Sequence, residues 1–295
     1  MRFASSVVAA ALVLQGCGNG GTSSNTGKDG GINPGGDSSI PTDLGCDADT
    51  KLIYVMTRDS YLYRFDPPSS TFTSVGRIDC FNGGAEVFSM TVDRAGFVWI
   101  LYTDEAIYKV NTKDRSCNIS GWGAGQQGFD RFGMAFSSDS PGGPEALYAS
   151  DLLGKGLARI DPKTLKLGYV GPYDGVVAGR AAALTGTGDG RLYGFFTTDP
   201  ARVGEIDKKS GHVTPSNPLT GVKTGTDWAF AFWGGDFWLF TADQSGALPQ
   251  QAKPTQVTRY RPKDGSLTVT VPNAGFFVVG AGVSTCAPVT APDPK

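Results

Sequence analysis

One histidine, His212, stands among 295 residues. No metal-spaced His pair exists, and the lone imidazole lies in a polar stretch where a surface role is the default. No Gly-x-Ser-x-Gly elbow and no phosphate loop occur, so the usual sequence marks of hydrolases and nucleotide enzymes are missing. There is no basic stripe: 26 Lys and Arg face 28 Asp and Glu, a formal charge of −2. Nucleic acid is therefore not an expected partner, because nothing is laid out to neutralise phosphates. No apolar segment approaches the about 20 residues that a membrane-spanning helix needs. Helix-period apolar segments of useful length are lacking as well. What is abundant is glycine, at 42 residues or about 14% of the chain against a usual 7% or so, together with Val, Phe, Tyr and Trp. That profile belongs to many short strands joined by turns.

The N-terminus reads as an export signal. Arg2 supplies positive charge, and Phe3 to Leu14 is an apolar, small-residue run too short to span a bilayer. It closes on Leu14-Gln15-Gly16-Cys17, which resembles the bacterial lipobox, although Gln15 departs from the small or β-branched residue usual there. The resemblance implies a signal peptide over 1–16 and lipidation of Cys17. Gly18 is not the Asp that holds enterobacterial lipoproteins at the inner membrane, so the outer membrane is the implied location, periplasmic or surface-exposed. Residues 18–45 are Gly, Ser, Asn, Thr, Asp and Pro with almost nothing apolar, a composition that cannot offset ordering entropy. With Cys17 they are expected to form a disordered tether, whose 28 residues reach roughly 30 Å. Export removes Arg2 and leaves 25 basic against 28 acidic side chains, or −3.

Four cysteines remain: Cys46, Cys80, Cys117 and Cys286. Their spacing fits no zinc site, so disulfides are the default in an oxidising compartment, with three possible pairings.

Five copies of one unit fix the fold. They are Leu62-Tyr-Arg-Phe-Asp66, Ile107-Tyr-Lys-Val-Asn111, Leu157-Ala-Arg-Ile-Asp161, Val203-Gly-Glu-Ile-Asp207 and Val257-Thr-Arg-Tyr-Arg261, spaced 45, 50, 46 and 54 residues apart. This is the period of about 40–50 residues expected of propeller blades. Four strands can be drawn for each unit; in the fourth, the outer strand falls at His212 to Thr214. The first unit begins abruptly with Lys51 to Thr57, which matches second strands. Its missing inner strand is Phe277 to Val283, at the other end of the chain. An all-β single propeller follows, with five four-stranded blades over 46–289 and one blade shared between the termini, leaving 290–295 as a tail. Sharing a blade closes the ring and removes exposed edges. Cys46 and Cys286 fall at the same turn of the shared blade, so they should pair. Cys80 and Cys117 then pair by elimination, tying the first two blades.

The residue closing each third strand (Asp66, Asn111, Asp161, Asp207) suits turn initiation, as do the Asp residues after the second strands. The strings LYRFDP, LARIDPKT and EIDKKSG resemble the repeat of the NHL, YncE-like and quinoprotein-like propellers, families that share geometry rather than one reaction. The lipobox, the tether and phrases such as Gly125-Gln-Gln-Gly-Phe-Asp-Arg-Phe-Gly133 resemble lipoproteins of unknown role from myxobacteria, which carry no established activity to transfer.

Function is expected on the blade-to-blade loops. Trp122, Gln127, Arg131 and Arg180 are the ligand-binding candidates, since aromatic rings, amides and Arg make saccharide or peptide pockets. Trp122 has the equal alternative of wedging between blades. The leading expectation is a binding or scaffold module for an envelope glycan, peptide or protein, held to the membrane through Cys17, with no cofactor and no metal. The alternative is a carbohydrate-active hydrolase or lyase, or a lactonase-like hydrolase. It would use Glu86, Asp130 and Asp227 near the inner-strand starts, where five-bladed propeller glycosidases place three carboxylates.

Overall fold

Short apolar segments ended by Gly and Asx turns cannot continue as helices, and each repeat folds as an antiparallel meander. The computed structural model describes residues 46–80, 83–243 and 253–292. The expected signal peptide, Cys17, the tether and the last three residues of the tail lie outside these. Among the described residues there are five four-stranded sheets. The first blade holds β1 (Ile53–Thr57), β2 (Tyr61–Asp66) and β3 (Thr71–Arg77); the second β4 (Val87–Val92), β5 (Phe97–Tyr102), β6 (Ile107–Asn111) and β7 (Cys117–Ile119). The third holds β8 (Phe132–Ser138), β9 (Glu145–Asp151), β10 (Leu157–Ile160) and β11 (Leu167–Gly171). The fourth holds β12 (Ala182–Gly186), β13 (Leu192–Phe196), β14 (Arg202–Glu205) and β15 (Asn217–Pro218); the fifth β16 (Asp227–Trp233), β17 (Asp236–Ala242), β18 (Gln256–Arg261) and β19 (Ser266–Val271). Finally β20 (Val278–Gly282) pairs antiparallel with β1, Val55 opposite Ala281, and supplies the first blade's inner strand. The protein is a five-bladed β-propeller closed by a shared blade.

Period-2 alternation places the core. Leu147 and Ala149 of β9 pack toward the second blade, whereas Ala146 and Tyr148 pack toward the fourth. Both faces of each middle strand are thus buried, and the five hydrophobic clusters lie one in each gap between neighbouring blades. The inner strands β4, β8, β12, β16 and β20 contact one another in ring order and line a central channel.

Each inner strand is a sheet edge, and its backbone groups need partners other than a fifth strand. Hydroxyls supply some of them: Ser89 Oγ donates to Phe132 O at 2.7 Å, and Thr185 Oγ accepts from Phe232 N at 3.0 Å. Glycine allows the close approach. A Cβ on Gly133 would lie 2.3 Å from Ala182 O.

Cys46 is bonded to Cys286 with Cα atoms 5.7 Å apart, and Cys80 to Cys117 at 5.5 Å. The first bond lies beside the shared blade, where Ser284 Oγ also donates to Thr50 O at 2.7 Å. The fourth blade departs from the expected pattern. At the His212–Thr214 segment only an isolated bridge, Ile206 to Val213, forms, and the outer strand is the two-residue β15. Pro215 has no N–H for the ladder and diverts the chain at that point. No described helix is long and apolar enough to cross a membrane.

Candidate functional site

The channel opens at the face where inner strands begin and second strands end. A cavity of about 220 Å³ sits there and draws wall residues from all five inner strands. Val87, Met90, Met134, Leu184, Phe230 and Val279 make much of the wall apolar. Charged side chains belong to the rim: Glu86 and Asp227 line the cavity, and Arg58 forms an ion pair with Asp227.

Strand ends fix these groups. Glu86 immediately precedes β4; its N–H donates to Thr103 Oγ at 3.0 Å, while Thr103 N donates back to Glu86 O at 2.8 Å. Asp227 opens β16. Arg58 follows β1, donates its N–H to Phe277 O at 2.9 Å, and lies 4.7 Å over the Phe277 ring. Burial pushes the Asp227 carboxyl above the usual carboxylate range, and nearby Glu86 adds to this, against the opposing pull of the Arg58 guanidinium. The rim therefore holds two carboxylates in different surroundings, one exposed and one half-buried against an Arg.

The opposite end of the channel is plugged. Arg94 follows β4 and donates to Thr285 Oγ at 3.1 Å, Ser138 Oγ at 3.0 Å and Gly143 O at 3.1 Å. Glu145 accepts from Arg94 N and Thr285 Oγ, each at 2.8 Å. Thr285 follows the inner strand of the first blade, yet Glu145 belongs to the third and Gly188 to the fourth. A Cβ on Gly188 would come within 2.2 Å of Thr285 O. Contacts between non-neighbouring blades can only be made across the axis, so the cavity is a well with one opening.

Of the seven loop residues singled out by sequence, the structure brings Glu86 and Asp227 to this well and leaves the other five off its wall. Arg131 lies 5.8 Å over the ring of Phe88, which does line it. Trp122 is buried between the second and third blades, edge-on to Phe132 at 5.7 Å. Gln127 donates to Leu167 O at 2.9 Å, a contact between loop and outer strand. Asp130 and Arg180 are solvent-exposed. The repeated turn carboxylates cap their own turns: Asp161 accepts from Lys163 N at 2.8 Å and Asp207 from Lys209 N at 2.8 Å. Thr57 Oγ donates to Asp59 at 2.5 Å, and Asp151 accepts from Lys155 N at 3.0 Å. Sequence reasoning missed Arg58, whose only signal was its place inside the Thr57-Arg-Asp59 repeat, and the Arg94 plug, which has no local signature. Among the described residues no group of three or more His, Cys, Asp or Glu side chains is arranged to hold a metal ion.

No protein-family model matches the chain, and no curated protein does. Solved structures resemble the chain at low identity. A protein of unknown function from Bacteroides caccae is 10% identical with a TM-score of 0.47, covering 78% of this chain and 97% of that one. A chain from a nidogen–laminin complex is also 10% identical, with a TM-score of 0.48 over 80% and 99%. A catalytically inactive virginiamycin B lyase from Staphylococcus aureus, solved with quinupristin, is 12% identical with a TM-score of 0.41 over 78% and 72%. Likenesses this distant assign neither activity nor ligand.

Proposed function

We propose that the protein is a lipid-anchored envelope module that binds a peptide or protein segment by seating one compact apolar side chain in the channel well. The observation that carries this reading is the wall, apolar below a rim that holds Glu86 and the Asp227–Arg58 pair. A sugar ring carries hydroxyls around its edge and would leave many of them without partners there. A hydrocarbon or aromatic side chain matches the wall, and burying one contributes about 1.5–3 kcal/mol. The rim carboxylates suit a basic residue beside it in the ligand.

The anchor rests on the Leu14-Gln15-Gly16-Cys17 sequence and the polar stretch to Gly45, with the propeller over 46–289 and a short tail after it. The likeness to myxobacterial lipoproteins supports the same arrangement. Each buried methylene of an acyl chain adds about 0.8 kcal/mol, so two or three chains on Cys17 would make release negligible. The outer membrane is the proposed site.

One observation favours a second reading, a carbohydrate-active hydrolase: Glu86 and Asp227 share a cavity, and burial raises the pKa of Asp227. Such chemistry needs carboxylates roughly 5–5.5 Å or 6.5–9.5 Å apart.

The test is a thermal-shift screen of the full chain carrying Cys17→Ser, against Lys-Leu- and Lys-Phe-containing peptides and envelope glycans. A ligand at 100 times its Kd adds about 2.7 kcal/mol, easily seen. Peptide binding that is lost in Val279→Phe, which enlarges a side chain of the well wall, and weakened in Asp227→Asn is the expected result. Glycan cleavage abolished by Glu86→Gln or Asp227→Asn would move the assignment to the hydrolase. Peptide binding indifferent to Val279→Phe would sink the well as the site.

A further inference from the structure

In four blades the third strand carries a base at one repeat position: Arg64, Lys109, Arg159 and Arg259. Each reaches a carboxylate from the turn region at the blade's far end. Arg64 meets Asp49 at 2.6 Å, Lys109 meets Asp93 at 3.9 Å, Arg159 meets Asp139 at 3.1 Å, and Arg259 pairs with Asp236. The fourth blade has Glu205 at that position. Its base sits instead in the β12–β13 turn: Arg191, held by Asp189 at 2.7 Å, lies over the rings of Tyr193 and Phe232 at 5.7 and 5.6 Å. The charge order at this edge is reversed, and Asp189 orients the guanidinium.

The same blade has the truncated outer strand. Where β15 leaves the edge short, a cavity of about 320 Å³ opens between the fourth and fifth blades. Tyr193, Phe232, Phe237 and Tyr260 line it, with Tyr193 stacked on Phe232 at 5.5 Å and Phe237 on Tyr260 at 6.0 Å. Arg191, Glu205 and Asn217 add polar groups to the same wall. Glu205 stands opposite Tyr193 across the β13–β14 pair, so its carboxylate shares the face of the aromatic rings. Gly235 and Pro262, in turns at the ends of β16 and β18, place this cleft at the end of the molecule opposite the well.

We propose that this inter-blade cleft is a saccharide-binding site. A sugar ring has an apolar C–H face that rests on aromatic rings and a hydroxyl edge that needs charged or amide partners. The cleft offers both on one wall, at the lower end of the about 300–1,000 Å³ usual for small-molecule sites. A carboxylate accepts from two adjacent hydroxyls, and a guanidinium donates to others. A peptide adding as a strand finds the β14 edge already used, by β15 and by Thr214 N donating to Glu205 O at 2.9 Å. Burial pushes the Tyr193 phenol up to about 12, so it stays a neutral donor at working pH. The site is independent of the channel reading and differs from it in ligand class.

The experiment titrates the full chain carrying Cys17→Ser with maltose, cellobiose, chitobiose and mannobiose, read by saturation-transfer NMR and calorimetry. At least one disaccharide should bind. Glu205→Gln and Arg191→Met should each weaken it about ten-fold or more, the loss of a charge-assisted hydrogen bond. Asn217→Ala, a substitution on the exposed rim, should weaken it less, and Val279→Phe, in the well wall on the first blade, should leave it unchanged. Melting curves check that the variants fold. Failure of all four sugars to bind, binding that survives both Glu205→Gln and Arg191→Met, or binding blocked by Val279→Phe would overturn the proposal.

Discussion

Glu145 holds its carboxylate between the Arg94 N–H and the Thr285 hydroxyl, closing the channel. Burial pushes this group above the ordinary glutamate value of 4.5, only partly opposed by those two bonds. Its folded pKa thus exceeds its unfolded one. The stability it contributes is full below the ordinary value and is lost as pH rises through the raised one. Glu145→Gln, neutral at every pH, should therefore melt higher relative to the native protein at pH 8 than at pH 4. A gap in Tm that is the same at both would contradict this account of the plug. Gly133 makes a second test. A Cβ there would strike Ala182 O at 2.3 Å, whereas one on Gly168 would find only Arg159 O at 3.9 Å. Gly133→Ala should cost about 1–3 kcal/mol in urea unfolding through overpacking. Gly168→Ala, at a position without such crowding, should be close to neutral.

At the scale of elements, the blades are not equivalent. The outer strands β3 and β19 run seven and six residues, while β15 has two. Few backbone bonds then protect the outer edge of the fourth blade, and poorly protected edges open locally. Hydrogen exchange should be faster at Arg202–Glu205 than at the third strands β2 and β18, which lie under long outer strands. Equal protection would mean that the 207–216 segment shields the edge as well as a strand does. The inner strands, bonded to their neighbours through Ser89 and Thr185, should exchange slowest.

The whole molecule depends on closing the ring between chain ends. The Cys46–Cys286 bond spans 240 residues and Cys80–Cys117 spans 37. In the entropic model these constrain the unfolded chain by about 5 and about 4 kcal/mol, upper figures. Replacing Cys46 and Cys286 by Ser should lower Tm more than replacing Cys80 and Cys117, because only the former pair also holds β20 beside β1. A larger effect of the shorter loop would show that local strain, not closure, governs stability. The Cys46–Cys286 pairing was legible from strand order, with Cys80–Cys117 following by elimination, as was the shared blade, because Lys51–Thr57 lacks an inner strand and Phe277–Val283 lacks a blade. The turn role of Asp66, Asn111, Asp161 and Asp207 was legible for a similar reason: an Asx turn is decided within a few residues. The well was only half legible. Glu86 and Asp227 could be placed because they adjoin inner strands, and Trp122 takes the inter-blade place that was its equal alternative, but Gln127 was drawn into a contact with β11 that sequence spacing does not encode. Arg58, Arg94 and Thr285 meet their partners across 169, 44 and 140 residues. Periodicity, turn chemistry and chain order are local quantities, and they determined blade count, closure and disulfides. Which side chains face the axis, which end is plugged and where the fourth blade opens depend on how blades lean on one another, and only the tertiary structure decided them.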